Sequence, residues 1–216
     1  WQKATQDTSG KSVGIAGAVG LNSLTNTTEA IVRNSDIKSA DQVNVFAING
    51  GTNVAAGLGL QVSKNSGNAD GAFTMGGSVS INGIDNTVKA EMIDNAVTGE
   101  DARKTDVKVT AYESDLQITG GVQLTVGKQK GAFGAAVNVA NISNDVTARI
   151  DGGNYAKVAD VSASAMQALT QVNGALTAGI IWGTDDSVAI MGAAVYNQLD
   201  SILKAEITGA TITASG

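Results

Sequence analysis

The chain has 216 residues, 43% of them hydrophobic, so it is long enough to bury a core and its composition is not that of a disordered segment. It contains no His, Cys or Pro, which excludes disulfides, thiolate and imidazole metal sites, cysteine nucleophiles and any triad with a histidine base. A formal net charge of -6, with 14 scattered Lys and Arg, argues against a nucleic-acid partner.

The opening stretch WQKATQDTSG lacks the basic start and apolar run of a signal peptide. No apolar run approaches the roughly 18 residues of a membrane-spanning helix, so no transmembrane segment is expected. The chain reads as a piece of something longer. From residue 13 onward one pattern recurs four times: VGIAGAVGLNSLTNTTEA (13–30), FTMGGSVSINGIDNTVKA (73–90), GAFGAAVNVANISNDVTA (131–148) and VAIMGAAVYNQLDSILKA (188–205). In register, apolar columns fall at every second position: Ile15, Met75, Phe133 and Ile190; Val19, Val79, Val137 and Ala194; Leu21, Ile81, Val139 and Tyr196. Period two predicts strands. It also predicts that Val79, Ile81, Val137 and Val139 share a buried column, with Lys89 and Thr147 exposed.

After Leu24, Ile84, Ile142 and Leu199 the apolar phase slips by one residue and resumes at Thr28, Val88, Val146 and Leu203. A slip at one place in every copy predicts a corner. Further strands follow at VNVFA (43–47), VKVTA (107–111) and VSASA (161–165), with another beginning near Gly57, Gly121 and Gly174. The anchors Ala30, Ala90, Ala148 and Ala205 lie 60, 58 and 57 residues apart. The expected fold is all-β, a parallel β-helix or β-solenoid of 57–60 residue repeats, each divided into three short coils of about 20 residues. One segment, 1–216, holds copies at about 11–63, 64–129 and 130–183 and a partial copy at 184–216. About eleven coils would make a rod of roughly 50 Å.

The Asn column (Asn26, Asn86, Asn144) has two readings, amides stacked along the solenoid and the ordinary preference of turns for Asn. The Gly column (Gly17, Gly77, Gly192) predicts a bend or a layer with no room for a side chain. A phosphate cradle would occur once, ahead of a helix. Acidic candidates for a carbohydrate-cleaving groove, Asp70, Glu100 with Asp101, and Asp185 with Asp186, sit at different points of the repeat and read as solvated turns. The repeated Gly-Gly-x-Gly-x-Asp run of calcium-filled β-rolls is missing, and GNADG (67–71) is a single partial hit. No catalytic residue, cofactor or metal site is expected. The one distinctive insertion is VTGEDARKTD (97–106), which lengthens the second copy by four residues. Its Glu100, Asp101, Arg103 and Lys104 form a candidate binding loop; length drift is the plainer account.

The run G-A-V-x-L/V-N-x-I-x-N-x-V-x-A-x-I, followed by V-x-V-x-A and Gly-Gly, spans about residues 11–216 and resembles the repeats of large secreted bacterial adhesins of the filamentous haemagglutinin-like and fusobacterial leukotoxin-like family. The resemblance implies a right-handed β-helix and export from a diderm bacterium, secreted or held at the cell surface in association with the outer membrane. It implies a non-catalytic structural and adhesive rod segment, with a leukotoxin-like cytotoxin segment as the alternative; a carbohydrate-active β-helix enzyme is a third and less favoured reading, independent of the resemblance. The partner would be a surface receptor or extracellular matrix. Open solenoid ends predict end-to-end self-association, suppressed by Ile212→Lys.

Overall fold

The computed structural model describes residues 13–39, 41–63, 73–99, 105–128, 130–182 and 186–214. The chain forms β1 (Val13–Arg33), β2 (Asp36–Ser39), β3 (Gln42–Ser63), β4 (Phe73–Ile93), β5 (Ala96–Gly99), β6 (Thr105–Gly127), β7 (Gly131–Asp151), β8 (Asn154–Ile181), β9 (Val188–Thr208) and β10 (Thr211–Ala214). Two parallel sheets result, one ordered β1-β4-β7-β9 and the other β2-β5-β8-β6-β3, with β10 on β8. The all-β, parallel arrangement expected from the period-two pattern is present.

The division into three coils is not. Val19 pairs with Val79, Val79 with Val137 and Val137 with Ala194, while Ala47 pairs with Ala111 and Ala111 with Ala165. Ladder neighbours are therefore a whole repeat apart. Each repeat is one large coil, running out along the first sheet and back along the second. The cause is strand length: with no Pro to remove a ladder donor, β1, β4, β7 and β9 run 21 residues each without a break. In place of a rod of eleven coils, the first sheet stacks four strands, about 14 Å from first to last and about 66 Å along each strand.

The corner also lies elsewhere. It falls at Asn34, Asp94, Gly152 and Gly209, each with positive φ (49°, 50°, 67° and 64°). These residue types are the ones that tolerate the left-handed conformation. Hydrogen bonds from Asn34 N to Ile93 O, Asp94 N to Asp151 O and Gly152 N to Thr208 O carry the ladder round the bend. Asn95, fully buried there, donates to Val32 O and accepts from Ser35 N, tying the first two coils together.

What slips near residue 84 is polarity, not backbone direction. Along β4 the inward positions stay even throughout, from Thr74, Ser78, Ser80 and Asn82 to Val88, Ala90 and Met92, all buried. The apolar set simply changes sides. Near the corner it faces in, and Val45, Val88, Met92, Val107, Val109, Val146, Ile150 and Tyr155 build the core. Away from the corner it faces out: Ile81 is 39% exposed and Val137 37%, Val79 and Val139 are half-buried, and the buried neighbours are Ala136, Asn138 and Ala140. The expected column of Val79, Ile81, Val137 and Val139 is thus on the outer face. Lys89 and Thr147 point outward as expected but are half-buried.

The Gly column is displaced by the same parity. A methyl group at Gly17 or Gly77 would meet nothing nearer than 3.8 Å, and at Gly192 nothing within 4 Å. Close approach occurs at inward glycines instead. A Cβ at Gly20 would lie 3.0 Å from Ala56 O, and one at Gly57 3.3 Å from Val79 O, so the two sheets meet almost backbone to backbone away from the corner.

On the outer face near the corner, Arg33 and Arg149 flank Glu91 across three successive coils, with Arg149 Nε 3.1 Å and Arg33 Nη2 3.8 Å from its carboxylate. Such pairs contribute at most about 1 kcal/mol each.

Parity gives a direct stability test. Ile142→Ala, at a 1% exposed inward position, should cost about 2–4 kcal/mol in denaturant unfolding, and Val137→Ala less than about 1 kcal/mol.

Candidate functional site

The sequence-derived candidates Glu100, Asp101, Arg103 and Lys104 lie outside the described residues, as do Asp70 and Asp185. Asp186 occupies a turn before β9 and is exposed. The structure brings together a different group, at the level where the interior changes from apolar to polar.

Glu113 and Asp115 follow Val107, Val109 and Ala111 on the inward parity of β6, and both are buried, Glu113 completely. Asn86 of β4 donates to both carboxylates, 3.0 Å to Glu113 Oε1 and 2.8 Å to Asp115 Oδ2. Asn144 of β7 donates to Asp115 Oδ2 at 3.2 Å, and Asn49 of β3 to Glu113 Oε1 at 3.2 Å. The Asn column therefore neither sits at a turn nor bonds up its own stack here: it reaches across to the other sheet.

Burial pushes the Glu113 carboxyl up to about 7, helped by its hydrogen bond with Asp115 and by that residue's charge. The two Asn donors pull the other way and lose. Glu113 Oε2 and Asp115 Oδ1 have no donor among the described residues.

This group holds a proton better than a metal ion. Three amide NH2 groups aim at the carboxylates, so the ring around them is made of donors where a hard cation needs oxygens. Among the described residues no three His, Cys, Asp or Glu side chains cluster as metal ligands.

Beyond this level the interior is lined by amides and hydroxyls. Gln117 bridges two coils of the facing sheet, donating to Asn82 O and Asn141 O, both at 3.1 Å. Gln171 donates to Gln117 Oε1 at 2.7 Å, Asn53 to Gly83 O at 2.9 Å, and Asn22 to Asn53. Over the acid pair, the stacked small residues Gly50, Ser114 and Ala168 open a shallow transverse recess of about 590 Å³ on the outside of the second sheet, with Asp115 in its lining. The acid pair itself can gain and lose one proton near neutral pH.

Glu113 and Asp115 are legible in hindsight by parity alone, because they continue the apolar column Val107, Val109, Ala111 at the same spacing. Comparison with protein-family models, with curated proteins and with solved structures gives no match.

Between pH 4.5 and about 7 the folded chain holds the Glu113 proton that the unfolded chain has released, so stability falls as pH rises through that window and levels off above it. The loss should be on the order of 3 kcal/mol. Urea unfolding should show this slope in the native chain and lose it in Glu113→Gln, which should be the more stable of the two at pH 8.

Proposed function

We propose that the chain is a structural and adhesive segment of a giant bacterial surface or secreted adhesin, with no reaction of its own. The observation that supports this reading is the register: the repeating unit stacks on its own copies along two long ladders, its partners 57–60 residues apart in the first sheet and, as with Ala47, Ala111 and Ala165, 64 and 54 apart in the second. A unit of this kind extends by adding copies. Each coil advances only about 4.8 Å, so such a protein gains lateral face far faster than reach. Adhesion in this reading belongs to the broad faces, toward a surface receptor or extracellular matrix. The winding is taken as right-handed, the hand of nearly all parallel crossovers.

A leukotoxin-like cytotoxin segment is the second reading, supported by the outward apolar residues of both sheets. Lysis of leukocytes by the parent protein would favour it over adhesion. Immobilised on a surface, the 216-residue chain should capture cells or matrix saturably, without altering them. Depolymerisation of a polysaccharide, or capture no greater than by its heat-unfolded form, would overturn the adhesive reading.

A further inference from the structure

The half of the slab away from the corner is inverted relative to a protein in water. Seven strand stretches cross it, 13–24, 73–84, 131–142 and 188–199 in the first sheet and 52–63, 116–127 and 170–181 in the second, and none contains Asp, Glu, Lys or Arg. Their inward side chains are mostly amides, hydroxyls, glycines and alanines, with Met191 and Val195 of β9 as larger apolar ones and Ile84 and Ile142 at the border with the apolar core. Their outward ones are apolar on both faces of the slab, with Val19 71%, Leu58 67% and Leu176 61% exposed.

Three further facts bear on what covers these faces. From Phe73 to Ile81, or Leu116 to Val126, the outward apolar residues span about 26 to 33 Å, close to the roughly 30 Å of a bilayer's hydrocarbon. Charged residues resume on both sides, at Lys128, Lys130 and Asp186 beyond one rim and at Asp85, Asp145 and Asp200 beyond the other. Aromatic side chains mark the rims, Phe73 and Trp182 at one and Tyr196 at the other, all exposed. A protein partner would cover one face with a matching polar pattern. Two faces, both without charge and of one height, fit a fluid that surrounds the slab.

We propose that this half of the slab is a lipid-facing surface whose outward side chains contact the acyl chains of a bilayer, while the corner half, with its ion pairs and buried acid, stays in water. Apolar-out and polar-in alternation over about ten residues is the pattern strands adopt in hydrocarbon. Hydrocarbon satisfies no open sheet edge, so the free edges of β1, β3, β8 and β9 must pair with further coils or copies in the bound form. This inference goes beyond the adhesive reading, leaves any receptor contact to the corner half of each face, and does not depend on a receptor.

The test is flotation of the folded chain with phosphatidylcholine vesicles, with and without phosphatidylglycerol. The chain should float with both, and in a Trp1→Phe background Trp182 emission should shift to the blue and be quenched by brominated acyl chains. Val79→Lys with Ile118→Lys should retain the β-sheet circular dichroism spectrum and lower the bound fraction at least about tenfold; Thr147→Lys should not. Several results would overturn the proposal: a folded chain that stays unbound, binding that the double variant does not weaken, or binding confined to anionic vesicles and abolished by salt. So would a soluble oligomer formed without vesicles and dissolved by the double variant, which would make a second copy the occupant.

Discussion

Parity along an unbroken strand decides which residues of this chain face in and which face out. Successive side chains face opposite sides of a sheet, and β4 and β7 keep that alternation for 21 residues without a bulge. A set of apolar residues that moves from odd to even positions within such a strand must therefore cross from the outside to the inside. In every repeat that crossing happens at one level, near Ile84 and Ile142, and the in-register ladder stacks the crossings into a seam through the slab. On the corner side of the seam the molecule is a conventional two-sheet sandwich with an aliphatic core. On the other side small residues and amides lie between the sheets, and the bulky aliphatic groups lie outside.

The seam is where the chain places its ionisable interior. Desolvation of two neighbouring carboxylates outweighs what the amide donors repay, so Glu113 keeps its proton well above the usual carboxylate range, up to about pH 7. Moving the pair two residues toward the corner would seat it among Val88, Val109 and Val146, where nothing could donate to it. Moving it outward would put charge into the uncharged band. Its position is the level nearest the apolar core at which amides from both sheets converge.

Much of the fold is legible in the sequence, because strand type, repeat period and pairing columns all follow from spacing. The columns read as Val19, Val79, Val137 and Ala194 are the ladder itself. What spacing does not carry is which side of a column faces in. The usual assumption, that the apolar side does, holds at Val88 and Val146 and fails at Ile81 and Val137. That one assumption turned the polarity switch into a corner and hid Asn34, Asp94, Gly152 and Gly209, the positions where the backbone does turn. The acid pair is hidden for a related reason: Glu113 and Asp115 look like surface residues until their parity with Ala111 is counted.

Outward and inward are reversed in the half away from the corner. Because the chain has no Cys, single thiols can be placed without background. Maleimide labelling of Val137→Cys and Asn138→Cys under native conditions compares two adjacent positions on opposite sides of one strand. The thiol at 137, a position 37% exposed, should react far faster than the one at 138, which is buried and should be protected. Protection at 137 with rapid reaction at 138 would contradict it.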